Sequence, residues 1–467
     1  MNSARYQEKV VGAKGEFLGQ DWRMTSNDSS VDLSQLSELE QDCIQLCQDL
    51  IRIPSVNYGE GKGDEKAVAE FVAAKLAEVG IDSELIEAGP NRVNVVAKIA
   101  GRDSSRAGLV LHGHIDVVPA NADDWSVDPF SGVIKDGYIW GRGAVDMKDM
   151  DAMMLATVRS WARTGYVPPR NILLVFFADE EAGSVYGSRW LVKNRPELFT
   201  GYSEAISEVG GFSVTITGGH RLYFVEGAQK GIQWMKLTAK GDAGHGSFIN
   251  RNNAVTKLSQ AIARIGEYEW PQRETKTGGK FFRKIAELTG DVYDATNVRP
   301  LLKHIGGAAR MMGATIQNTA NPTMLEAGYK ANVIPGSASA VVDGRFLPAF
   351  EGELVSTIKE LAGADIEVEL LVRDIALEVD FEGPLVEAMI AAIAKFDPEG
   401  IPVPYVMSGG TDNKALSELG IVGYGFSPLR LPADLDFFAL FHGVDERVPV
   451  SGLVFGVNVL KELLETA

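Results

Sequence analysis

Cysteine is scarce. Cys43 and Cys47 are the only two in 467 residues, no CxxC pair occurs, and a disulfide scaffold is excluded. Four residues apart in "DCIQLCQDL", they fall on one face of an expected helix and read as buried thiols. That usage suits a reducing, cytoplasmic compartment. Positive charge is also in deficit. Against 63 Asp and Glu there are 45 Lys and Arg, a formal net charge of −18. The basic footprint that nucleic acid demands is missing. No uninterrupted apolar run reaches the length of a membrane span. The polar, irregular first thirty residues lack the apolar centre of a signal peptide. Met24 is an alternative start, with 1–23 a leader. Repeats, low-complexity tracts and the HExxH zinc motif do not occur.

What is present is a globular composition, 45% hydrophobic and 23% charged, in a chain long enough for two domains. After a tail spanning 1–34, "SELEQDCIQLCQDLIRIPSV" and "EKAVAEFVAAKLAEVG" read as helices, the second ending at Gly80. "RVNVVAKIAG", "GLVLHGHIDVV" and "NILLVFFADEEAG" read as strands, with the helix "DMDAMMLATVRSWARTG" before the last of them. Such alternation predicts an α/β domain, a mixed and mostly parallel sheet sandwiched by helices. From about residue 229 the order becomes β-α-β-β-α-β, the order of a ferredoxin-like α+β sandwich. The expected layout is a catalytic domain from 35–228 and 373–467, with a smaller domain inserted at 229–372.

The chemistry gathers where apolar runs stop. In "LVLHGHIDVVPA", His112, His114 and Asp116 share one face of a strand near its C-terminal end, where open α/β sheets bind ligands. "GRGAVDMK" places Asp146 between a Gly-rich turn and a helix. "FFADEEAG" places Glu180 and Glu181 at a strand end, "AISEVGG" does the same for Glu208, and "FHGVDERVPV" puts His442 after a loop. Any one of these reads alone as a helix cap or a solvated charge. Together, two histidines and three carboxylates make an N/O site for two divalent metals, most simply Zn2+. Neighbours in an extended chain point apart, so one of Glu180 and Glu181 can bind metal while the other acts as general base.

In order, "GHIDVVP", "GRGAVDMK", "ADEEAG", "GHGS", "NVIPGSASAVVDGRF", "SGGTD" and "HGVDERVPV" resemble the M20 metallopeptidase family over roughly residues 40–465. The family includes glutamate carboxypeptidase, succinyl-diaminopimelate desuccinylase, acetylornithine deacetylase and aminoacylase-1. The resemblance implies two Zn2+ per subunit, with Co2+ or Mn2+ as substitutes. His114 and Glu208 would bind one, Glu181 and His442 the other, and Asp146 would bridge them through a residue whose bond to Met147 is cis. Asp116 would orient His114, and Glu180 would be general base and then general acid. His112 is left a structural role. The inserted domain would act as lid and dimerisation surface, making a homodimer. From it His245 would stabilise the oxyanion, often across the dimer interface, while Asn332 and Arg345 would hold the substrate. Gly409 and Gly410 would line the pocket. One departure is "MKDMDAMM" where relatives often have "MKGG"; Asp149 and Asp151 then open a helix, where acids suit its dipole.

The resulting expectation is a hydrolase cleaving a peptide or amide bond beside a free carboxylate, without nucleic-acid or membrane partners. Carboxypeptidase or dipeptidase action ranks first and N-acyl-amino-acid deacylase second. Desuccinylase or acetylornithine activity ranks third, and a non-catalytic metal-binding scaffold last.

Overall fold

The computed structural model describes residues 33–467. Nearly all of the expected tail, and the alternative start at Met24, lie outside the described residues. At the first described helix, Glu38–Arg52, Ser37 and Glu40 close a capping box. Cys43 and Cys47 are buried free thiols on its inner face.

Ten strands form the large sheet. Its centre is parallel: Gly108–His114 runs between Ile172–Phe177 and Tyr202–Ser207, aligned with both. The flanks are antiparallel, with Arg92–Ile99 beside Ile172–Phe177 on one side. On the other, Val422–Gly425 meets Arg221–Gln229. Leu109, Leu111, Leu174 and Phe176 pack into a core beneath the helices Glu38–Arg52, Lys148–Thr164 and Val450–Thr466. On the opposite face Val110, Leu173 and Val175 pack with Leu191 and Leu416. Because the central strands are parallel, His114, Glu180 and Glu208 emerge from one edge, at the C-terminal ends of their strands.

A four-stranded antiparallel sheet forms the smaller unit, with Ser337–Phe346 and Gly231–Lys240 central, Thr319–Ala327 outside the first and Ile366–Asp374 outside the second. Helices Ala254–Gly266 and Glu351–Ala362 cover one face through Leu258, Ile265, Leu354 and Ile358. The span 229–372 is not one continuous unit. Its middle, 272–317, leaves the small sheet, and Phe281, Phe282 and Ile285 of the helix Lys276–Thr289 pack into the core of the large one. An amphipathic helix announces a buried face but not the sheet that buries it.

Asp149 and Asp151 take the expected place at the start of a helix. They lie in the first turn of Lys148–Thr164, both are buried, and neither oxygen of Asp151 has a hydrogen-bond partner among the described residues. Burial holds both carboxyls well above the usual range. No helix among the described residues is long and apolar enough to cross a membrane.

Candidate metal centre and cleft

Asp146 stands between two histidines and offers one oxygen to each. Its Oδ1 lies 3.1 Å from His114 Nε2, and its Oδ2 lies 3.2 Å from His442 Nε2. Glu208 Oε1 approaches His114 Nε2 at 3.5 Å, and Glu181 Oε2 approaches His442 Nε2 at 3.1 Å. His114, Asp146 and Glu181 each present a ligand atom within 4.8 Å of the others, as do His114, Glu180 and Glu208. The peptide bonds Asp146–Met147 and Glu208–Val209 are cis.

The electrostatics of this cluster ask for a cation. Glu181 Oε1 and Glu208 Oε2 are buried without a hydrogen-bond partner among the described residues. Burial pushes the Glu208 carboxyl up to about 7, and it raises Glu181 and, well above the usual range, Glu180. For Asp146, bonds to His114 and His442 outweigh burial and hold the carboxyl low. His442 is raised to about 10 by bonds to Asp146 and Glu181. Crowded carboxylates with unpaired oxygens, interleaved with imidazoles, form a donor set that fits first-row divalent metals.

The supporting groups explain how the cluster is held. The His114 ring is oriented by Asp116, but at hydrogen-bond length it is the Asp116 backbone carbonyl that meets Nδ1, at 3.0 Å. The Asp116 carboxylate lies farther off, at 3.5 Å. That carboxylate instead accepts the backbone N–H groups of Glu180 and Glu181, both at 3.1 Å, and Asn57 Nδ2 at 2.9 Å. One aspartate thus fixes a histidine and the paired-glutamate turn together. His112 is fully buried, bonded through Nε2 to Asn413 Oδ1 at 2.9 Å and edge-on to Phe177. Burial lowers its pKa to about 4, so it stays neutral.

Glu446 was not singled out in the sequence, although it lies inside the quoted "HGVDERVPV". Fully buried, it accepts from Arg142 Nη1 at 2.7 Å and from the N–H groups of Gly143, Val145 and Asp146. Arg142 Nη2 in turn donates to the Gly443 carbonyl at 3.0 Å. The pair joins the loop that presents Asp146 to the loop that presents His442. Removing one partner of a buried ion pair costs about 3–5 kcal/mol. Glu446→Ala is therefore expected to lower the thermal midpoint clearly and weaken metal retention, read by calorimetry and metal analysis of the folded protein. An unchanged midpoint would contradict this role.

A cleft of 1130 Å3 opens over the cluster, lined by Asp146, Glu180, Glu181, Glu208 and His442. Arg345, Gly409 and Gly410 line it as well. Arg345 comes from the small sheet and is held by Asp343 through bonds of 2.7 and 3.0 Å. Much of the remaining wall is apolar, with Val209, Trp234, Met311, Phe438 and Phe441. His245 and Asn332 are not part of this lining. His245 ends the short strand Gly244–His245 of the small domain and Asn332 sits in the turn just before its partner Val333–Ile334, where Gly246 N donates to Asn332 O at 2.9 Å and His245 Nδ1 lies 2.8 Å from Ser247 Oγ. Within one chain the structure does not bring them to the cluster.

A sequence profile of peptidase family M20/M25/M40 matches residues 110–466. Aminoacylase-1 of Pongo abelii is 28% identical over 91% of this chain and 95% of its own. An N-fatty-acyl-amino acid synthase/hydrolase of Mus musculus is 26% identical over 93% of this chain and 90% of its own. Among solved structures, an M20 family metallo-carboxypeptidase from Sulfolobus solfataricus superposes with a TM-score of 0.70 at 19% identity, over 92% of this chain and 99% of that one. A di-peptidase from Saccharomyces cerevisiae gives 0.67 at 17% identity, over 93% and 98%.

Proposed function

Because the chain belongs to peptidase family M20/M25/M40, hydrolases of peptide and amide bonds, we propose that it is a dinuclear metal-dependent N-acyl-amino-acid hydrolase. His114 and Glu208 would hold one ion, Glu181 and His442 the other, and Asp146 both. Zn2+ fits these donors, with Co2+ or Mn2+ as substitutes. When bound, the two ions polarise the scissile carbonyl and make water nucleophilic near neutral pH. Glu180, at the cleft wall, takes the proton of the attacking water and returns it to the leaving nitrogen. Arg345 receives the carboxylate of the amino acid, a geometry the guanidinium fork favours.

The observation that carries this reading is one cleft uniting the carboxylate cluster, Arg345 and an apolar wall. A hydrocarbon acyl group suits that wall, and the aminoacylase and N-fatty-acyl-amino acid relatives, matched over almost their whole length, support the same substrate class. Peptidase action is the second reading. It ranks below because the carboxypeptidase and di-peptidase likenesses, under 20% identical, extend to the fold. The expectation of peptidase action first is therefore reordered. A homodimer formed through the small domain would supply His245 and Asn332 from a partner subunit, consistent with their distance from the cluster within one chain.

Purified enzyme loaded with Zn2+ or Co2+ is expected to hydrolyse N-acetyl and longer N-acyl amino acids faster than dipeptides, and to fail on N-acyl amino acid amides, whose carboxylate is blocked. Hydrolysis of neither class would overturn the reading, and preference for dipeptides would restore the alternative. Arg345→Ala is expected to lower kcat/KM about 10- to 100-fold, the worth of one charge-assisted contact, chiefly through KM.

A further inference from the structure

The chain passes between its two sheets four times. It leaves the large sheet at Lys230, between the strands Arg221–Gln229 and Gly231–Lys240. It returns near Gln272, departs again near Gln317, and comes back past Asp374, after which Leu377 and Glu378 pair with Gln229 and Ala228. Crossings of this kind are where two domains flex.

Here hydrogen bonds join all four. Arg273 N donates to Ile316 O at 2.8 Å and Gln272 bridges to Gln317, pairing the second crossing with the third. The buried Lys230 Nζ donates to Ala314 O and Gln317 O, both at 2.9 Å, tying the first to the third. The fourth is secured by Lys414. Its Nζ donates to Lys230 O at 2.8 Å and meets Asp374 Oδ2 at 3.2 Å, in a side chain only 2% exposed. Arg189 Nη2 holds the other Asp374 oxygen at 2.9 Å.

Lys414 stands in the first turn of the short helix Asn413–Ser417, which directly follows the loop 408–412 that carries Gly409 and Gly410. A Cβ at Gly410 would lie 2.6 Å from Lys414 Nζ, so this position is kept bare by the lysine lying across it. The other side of the loop reaches the metal cluster. Asp412 Oδ1 accepts the hydroxyls of Ser184 at 2.6 Å and Ser188 at 2.5 Å. Ser184 N donates to Asp179 O, closing the turn that carries Glu180 and Glu181. Asn413 meets His112 on the strand of His114. One short loop and the helix start behind it thus touch both the domain crossings and the paired-glutamate turn.

We propose that Lys414 is a positioning residue, which fixes the small domain over the cleft and transmits that placement through segment 408–414, the loop and the helix start that follows it, to the Glu180 turn. It touches no reacting atom. A lysine fits the task because its ammonium has donors enough to serve acceptors on two separate crossings. The catalytic half of this inference rests on the hydrolase reading above; the placement half does not.

The test uses the full chain, labelled with nitroxides at Glu197→Cys on the large domain and Glu367→Cys on the small one. Both positions are exposed, at 62% and 68% of the side chain, while Cys43 and Cys47 are buried. Pulsed dipolar spectroscopy then reads the interdomain distance without substrate. Lys414→Met and Asp374→Asn are each expected to broaden the distance distribution. The double variant should be little broader than Lys414→Met alone, since that variant already lacks the Lys414–Asp374 contact. Arg189→Gln, which leaves the lysine's bonds in place, should change it less. In unlabelled enzyme, Lys414→Met should lower kcat about tenfold at unchanged metal content, with a smaller change in KM. Distributions as narrow as the parent's in both variants would overturn the proposal. Broadening with kcat unchanged would remove its catalytic half. If Lys414→Met does not fold, Asp374→Asn, at a partly exposed side chain, carries the comparison.

Discussion

Glu180→Gln is expected to cut kcat about 1000-fold while leaving the metal content intact. The amide keeps the shape of the side chain and its place beside the cluster, but it accepts no proton from water. A positioned general base contributes about 100- to 10,000-fold, and the loss should fall on kcat rather than KM because ground-state contacts are unchanged. The backbone N–H of Glu180 still reaches Asp116 Oδ1, so the turn stays in place. Metal analysis and steady-state kinetics on one preparation decide the matter. Retained activity would move the base elsewhere, and loss of metal would make Glu180 a ligand, as its place near His114 and Glu208 permits geometrically.

The second large effect belongs to Asp146. Asp146→Ala is expected to release both ions and bring turnover to background, whereas Glu208→Ala should release one. The contrast follows from geometry, since Asp146 alone addresses both histidines, at 3.1 and 3.2 Å. A ligand present at 1000 times its Kd stabilises the fold by about 4 kcal/mol, so chelation of the parent protein should lower its thermal midpoint and leave that of Asp146→Ala nearly unmoved. If the alanine variant kept two ions per chain, the bridging assignment would fail.

The candidate cluster was legible because of how α/β sheets place their chemistry. His114, Glu181 and Glu208 each follow an apolar run, and parallel strands carry such residues to one edge whatever the loops do. The supporting residues left no such trace. Asn57 has no apolar run before it, and its partner Asp116 is 59 positions away. Asp412 meets Ser184 across 228 positions, and Glu446 meets Gly143 across 303. Pairings this distant have no local period to read. The burial of Asp149 and Asp151 left no trace for a related reason. An acid in the first turn of a helix looks the same in sequence whether water or a core surrounds it. The excursion 272–317 hid behind a helix whose apolar stripe fits either sheet.

The tie between Glu446 and the Asp146 loop also dictates an order of events. During synthesis, the segment presenting Asp146 waits about 300 residues for the carboxylate that secures its N–H groups, and His442 appears in the same late stretch. A nascent chain that has not yet exposed this stretch holds only the His114, Asp146, Glu181 and Glu208 part of the ligand set. Closing so long a loop carries an entropic cost that must be met before the contact repays it. On the dinuclear reading, the site that needs His442 is completed only at the end of synthesis, and a chain truncated before residue 442 is expected to retain fewer ions than the full chain, read by metal analysis.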